Sequence, residues 1–126
     1  MAQIRTLVVD DNPAFLRSVS RLISSYKEFE IVGEASSAAE ALKQIALSHP
    51  DLVLMDMVMS DLSGLDATRI IKAESDAPRV IICTLYGDAR YAEAATAAGA
   101  DGFLSKSALS KQLLQVVYSL FSSKES

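Results

Sequence analysis

The stretch Leu52-Val53-Leu54-Met55-Asp56 decides the fold. Four apolar residues run directly into one carboxylate. An unbroken apolar run of this length reads as a strand covered on both faces, as the strands of a parallel sheet are. A charge deep inside such a sheet is costly, so Asp56 is expected where the strand emerges. Open α/β sheets hold their ligands at strand ends of this kind.

Working outward, the same alternation repeats on both sides. Ile4 to Val9 is β-rich and is stopped by Asp10-Asp11-Asn12-Pro13. Asn12 can cap a helix and Pro13 suits its first turn. Phe15, Val19, Leu22, Ile23 and Tyr26 then recur at helical spacing, which predicts a first helix over 13–26. Glu30 to Ala35 is a short second strand. Ser36-Ser37 supplies a cap for a second helix that His49-Pro50 closes. After Asp56 comes a loop from Met57 to Ser63, and Gly64 leads into a third helix. Asp76-Ala77-Pro78 breaks the chain before a fourth strand, Arg79 to Thr84. Residues 89–98 are Ala-rich with only a modest apolar stripe, so a fourth helix there is expected to be the least firmly anchored. Gly99 is its predicted C-terminal cap. Asp101 to Leu104 is a fifth strand, and Leu109, Leu113, Val116, Val117, Leu120 and Phe121 mark a final helix. Five repeats of strand then helix predict a parallel sheet covered on both faces. The domain is expected over 1–122, with 123–126 a polar tail or the start of a linker.

Composition narrows the function. The 126 residues suffice for one domain, which buries roughly two-thirds of its unfolded surface. The net charge of −4 argues against binding nucleic acid or an anionic membrane by electrostatics alone. No apolar run reaches the length of a membrane span and no signal-peptide pattern opens the chain, so a cytoplasmic location is expected. The single cysteine, Cys83, lies in an apolar run and reads as a buried, inert thiol.

The polar residues gather at one rim. Asp10 and Asp11 follow the first strand, Asp56 ends the third, Thr84 ends the fourth, and Lys106 follows the fifth. In a doubly wound sheet of order 2-1-3-4-5 the first and third strands are neighbours at the reversal point, so the three carboxylates stand together. Carboxylates so placed repel one another unless some are protonated or a cation joins them. A few hard oxygen ligands suit Mg²⁺, which welcomes a phosphate oxygen. A lysine and a hydroxyl opposite the acids make sense if a phosphoryl dianion is held between cation and ammonium. Asp56 is then the candidate nucleophile of an aspartyl-phosphate. Taken singly, each residue has a blander reading. Asp10 and Asp11 can be capping acids, Asp56 a solvated loop residue, Thr84 a strand-end hydroxyl and Lys106 a surface charge. All of these must hold at once for the site to vanish. Met55, Met57 and Met59 read as packing, and His49 as an ordinary surface residue.

Val9-Asp10-Asp11, the run Leu54-Met55-Asp56-Met57-Val58-Met59 with Gly64 downstream, Thr84, and Phe103-Leu104-Ser105-Lys106 together resemble the receiver domain of bacterial two-component response regulators. The resemblance covers about residues 4–121, with a flavodoxin-like (βα)5 architecture. Ile31-Val32-Gly33-Glu34-Ala35 and Ala98-Gly99-Ala100-Asp101-Gly102-Phe103-Leu104 are most similar to the subfamily joined to LuxR-type helix-turn-helix domains. The resemblance implies that Asp56 accepts phosphate from a sensor histidine kinase or a small phosphodonor. It implies Mg²⁺ (or Mn²⁺) ligated by Asp11, Asp56 and the backbone carbonyl of Val58, with Asp10 acting through water. Thr84 and Lys106 would hold the phosphoryl oxygens. Phe103 matches the aromatic switch position, which packs inward as Thr84 moves and alters the surface of the fourth helix, fifth strand and fifth helix. Homodimerisation, and DNA binding only through a separate C-terminal domain, belong to the same expectation; a membrane partner does not.

The chain departs from many receivers at Ser60 and Ser107, where they carry proline. Without that proline a cis bond after Lys106 would cost about 2.5–4 kcal/mol, so a trans bond or an altered loop is expected. The apolar Val58 and bulky Tyr86 are expected to slow attack of water on the phosphoryl group. A phosphatase using an aspartyl-phosphate generally needs a second carboxylate two residues after the nucleophile, where this chain has Val58. An FMN binder needs a phosphate-cradling first loop, and Asp10-Asp11-Asn12-Pro13 is acidic. A pseudo-receiver that takes no phosphate is the alternative that keeps the fold.

Overall fold

A computed structural model describes residues 3–85 and 89–122. The elements alternate as β1 (Ile4–Val9), α1 (Pro13–Ser24), β2 (Phe29–Ala35), α2 (Ala38–Ser48), β3 (Leu52–Asp56), α3 (Gly64–Lys72), β4 (Arg79–Thr84), α4 (Ala89–Ala97), β5 (Gly102–Ser105) and α5 (Leu109–Ser122). The sheet has the order β2-β1-β3-β4-β5, and every pairing is parallel. This is the doubly wound, flavodoxin-like topology expected from the sequence, with its reversal between β1 and β3.

All five residues of β3 are buried. Its side chains alternate between two cores, as the pleat requires. Leu52 and Leu54 face one core with Val8, Ile23, Ile81, Leu113 and Val117. Val53 and Met55 face the other with Leu7, Val9, Ile82, Ala41 and Ile71. Each fully buried Leu or Ile contributes about 1.5–3 kcal/mol of burial free energy. The first core is shared with α1 and α5 and the second with α2, α3 and α4, so no face of the sheet is left open.

The boundaries shift by a few residues for local reasons. Helix α1 ends at Ser24 rather than at Tyr26; Tyr26 lies in the following turn, with its N–H on the Ile23 carbonyl. Asp101 lies before β5 rather than in it. Its carboxylate accepts the Val80 N–H at 2.8 Å and pairs with Lys72 at 2.9 Å and Arg79 at 3.4 Å. It pins the far end of β4, opposite the acidic rim. A 3₁₀ turn, Lys106–Ala108, precedes α5. In β2 the register skips Val32, a bulge opposite Thr6 and Leu7. Gly99 adopts φ 100°, as a C-terminal cap in the left-handed region does, and His49 ends α2 with φ 48°. Helix α4 buries only Ala95, in keeping with its thin apolar stripe.

Among the described residues, Ser20 Oγ is the one buried side-chain polar atom without a hydrogen-bond partner. Ser20→Ala removes that uncompensated desolvation and raises helix propensity. The variant is expected to be more stable by about 1 kcal/mol, read as a higher urea midpoint with unchanged slope. A lower midpoint would mean that the hydroxyl is satisfied in solution.

Candidate functional site

Register brings the polar residues to one edge. Val9 pairs with Met55, Asp56 with Cys83, and Thr84 with Ser105. The residues that follow or end these strands therefore meet at one level. Asp10 and Thr84 are buried, Asp56 is 7% exposed and Asp11 is exposed. Carboxylate oxygens of Asp10, Asp11 and Asp56 lie within 4.8 Å of one another. From the other side, Lys106 Nζ reaches Asp10 Oδ2 at 2.8 Å and Asp56 Oδ1 at 3.4 Å.

Each group is held by local structure. Asp10 Oδ1 accepts the Asn12 N–H at 2.9 Å, which bends the chain out of β1. Asn12 Oδ1 in turn caps α1, accepting from Ala14 at 3.0 Å and Phe15 at 3.2 Å. Behind Asp56, the Gly64 N–H donates to the Met57 carbonyl at 2.8 Å and closes the intervening loop. Met57 and Met59 of that loop are buried in the core shared with α2, α3 and α4, whereas Val58 is 60% exposed. Asp61 ties the same loop to the start of α2, accepting from Ala38 at 3.1 Å and Ala39 at 3.0 Å, and these bonds hold its carboxyl below the ordinary range. Phe103 is half-buried against the core shared with α2, α3 and α4.

Three acids and one lysine leave the site net negative. Burial, and next the Asp10 charge, push the Asp56 carboxyl up to about 6; Lys106 opposes this only in part. Burial disfavours the Lys106 ammonium, but its hydrogen bond to Asp10 and the surrounding carboxylates outweigh that and hold its pKa above the ordinary value. The clustered hard oxygens fit a small divalent cation, which would lower the cost of ionising Asp56. Cys83, beside Asp56 in register, is pushed up to about 12 by burial and is no nucleophile.

Asp10, Asp11, Asp56 and Lys106 therefore converge, and Thr84 ends the neighbouring strand at the same edge. No cis peptide occurs among the described residues, so the bond after Lys106 is trans. Tyr86 lies outside the described residues. Two contributors escaped the sequence reading. Phe15 keeps the helical spacing of α1 and packs against the core shared with α1 and α5, and its ring centroid also lies 4.0 Å from Lys106 Nζ. Asp61 had no pattern to mark it. The cap at Asn12-Pro13 is the signal that places Phe15 in the first turn, at the mouth of the site.

A doubly wound sheet that gathers three carboxylates and a lysine at its switch point has its polar residues at the edge where α/β domains of this topology hold ligands. The response regulator receiver domain model matches residues 6–118, and the chain belongs to that family. It is 33% identical over 119 residues to the response regulator UvrY of Escherichia coli, covering 94% of this chain and 55% of that protein. It is 32% identical over 114 residues to the response regulator VraR of Staphylococcus aureus, covering 90% and 54%. A crystal structure of a LuxR-family two-component response regulator from an Aurantimonas species is 31% identical, with a TM-score of 0.89 over 97% of this chain and 87% of that one. The chain thus spans about half the length of the curated relatives it matches.

Proposed function

We propose that this receiver takes a phosphoryl group on Asp56 and acts as a phosphorylation-controlled switch. The observation that carries the reading is the meeting of a buried, hard-to-ionise Asp56 with Asp10, Asp11 and the Lys106 ammonium at one strand edge. An Asp56 carboxylate oxygen attacks phosphorus. The bond from phosphorus to the histidine nitrogen of a sensor histidine kinase, or to the leaving oxygen of acetyl phosphate, breaks as the new P–O bond forms. The electron pair stays with the leaving group. Asp11, Asp56 and the Val58 carbonyl would hold Mg²⁺ (or Mn²⁺), with Asp10 acting through water. Bound there, the cation supplies neutralisation of charge on the transferring group. Lys106 pairs with a phosphoryl oxygen and Thr84 donates its hydroxyl to another. Thr84 and Phe103 then bias the α4-β5-α5 surface. The domain catalyses only its own modification and its reversal.

The test is intact mass after incubation with acetyl phosphate and Mg²⁺, beside Asp56→Asn and a metal-free control. One metal-dependent phosphoryl addition, absent in the Asn variant, is expected. No addition to the parent chain would turn the reading toward a pseudo-receiver, an interaction module that takes no phosphate.

Similarity to a LuxR-family regulator supports a transcriptional output through a separate DNA-binding domain; phosphorylation-linked homodimerisation and a cytoplasmic location belong to the same proposal. Among the described residues no helix is long and apolar enough to cross a membrane. Val58 stands two residues beyond Asp56 with its side chain in solvent. Val58→Asn places a hydrogen-bonding group where water approaches, and dephosphorylation is expected to quicken by up to roughly tenfold. An unchanged decay of the phosphorylated protein would remove Val58 from this role.

A further inference from the structure

The Lys106 side chain is only 8% exposed, and its ammonium lies 4.0 Å from the centroid of the Phe15 ring. A four-carbon stem with a charged tip carries about 2 kcal/mol of rotamer entropy, so it is not fixed without partners. Its contacts with Asp10 and Asp56 restrain two directions, and the ring face closes a third. The ring is fixed in turn by the same residues. Asp10 holds the Asn12 N–H, Asn12 holds the Phe15 N–H, and Phe15 returns to Lys106. This closed circuit places the lysine tip over the site before any phosphoryl group arrives. Phe15 is half-buried and also packs on the core shared with α1 and α5.

We propose that Phe15 is a positioning residue for Lys106, its aromatic face holding the ammonium where it meets the phosphoryl oxygens on Asp56. This rests on the reading of Asp56 as the acceptor. A leucine at position 15 keeps apolar volume but has no π face; tyrosine keeps the face.

The experiment compares the parent chain, Phe15→Leu and Phe15→Tyr in two readouts. The first is the NMR shift of the Lys106 ε-methylene protons in the unmodified protein, which ring current moves upfield. The second is affinity for beryllium trifluoride with Mg²⁺, a stand-in for the phosphoryl group. In Phe15→Leu the upfield shift is expected to vanish and affinity to fall about three- to tenfold. Tyrosine restores both. A purely structural role would lower the melting temperature of Phe15→Leu without a selective loss recovered by tyrosine. Equal binding by all three chains overturns the role of Phe15 alone, and so does a leucine variant that keeps the upfield shift. Binding by none of them, the parent included, overturns the acceptor reading and this one with it.

Discussion

Gly64→Ala is expected to lower the melting temperature by about 10 °C or more, equivalent to about 3 kcal/mol or more, and to cut acceptance of phosphate from acetyl phosphate by roughly 100-fold. An added Cβ would overlap the Asp56 carbonyl oxygen and stand 2.9 Å from the Asp56 carbonyl carbon and 3.0 Å from Met57 Cα. These are backbone atoms at the end of a strand buried on both faces, so no flexible side chain can yield. The constraint is spatial: Gly64 opens α3, capped by Ser63, and alanine would otherwise favour the helix. Either the strand end or the start of α3 must move. Moving the strand end displaces Asp56 itself, and moving α3 strains the Gly64 N–H bond to the Met57 carbonyl. Thermal melts with and without Mg²⁺, together with intact-mass labelling, check both parts. A melting temperature within 3 °C of the parent would show that the loop yields more easily than its backbone contacts imply.

The same strand shows how much of the fold was legible in sequence. Leu52 to Met55 is apolar at every position because β3 is covered on both faces, and no other arrangement of a short run explains that composition as simply. Asp56 was legible because a carboxylate after such a run has nowhere to be but the edge. Asp10 and Lys106 followed from the topology, which puts all strand ends on one side. Long-range partnerships were illegible. Phe15 obeys the helical period of α1 and packs against its core, and nothing in that period shows that the ring also meets Lys106. Asp61 caps a helix that begins more than twenty residues earlier in the chain. Asp101 pairs with Lys72 and Arg79, residues no local pattern connects to it. Likewise, the bulge at Val32 leaves no mark in the alternation of β2.

Asp56→Asn is expected to abolish phosphoryl acceptance and, in the metal-free protein, to raise stability at neutral pH. The reason is that the site works against its own acceptor. In the folded chain the Asp56 carboxyl is raised from 3.8 to about 6, first by burial and then by the charge of Asp10. A group whose folded pKa is raised favours folding while it is protonated. That contribution is complete below about 4, fades as pH rises from there to about 6, and is absent above. At pH 7 the ionised Asp56 therefore costs stability. Unscreened, the shift corresponds to about 3 kcal/mol; the carboxylate stands at the rim within reach of water, so about 1–2 kcal/mol is the expected penalty. Asparagine cannot ionise and escapes it, while Lys106 keeps its shorter contact with Asp10. The difference in melting temperature between Asp56→Asn and the parent is accordingly expected to be several degrees at pH 7.5 and to close toward pH 4. Titrating groups remote from the site are common to both chains and cancel in the difference. Mg²⁺ is expected to narrow the gap at pH 7.5 by stabilising the parent chain more than the variant. A gap that is the same at pH 4.5 and 7.5 would show that Asp56 ionises without hindrance, and that its burial and the Asp10 charge do not make the acceptor dependent on a cation.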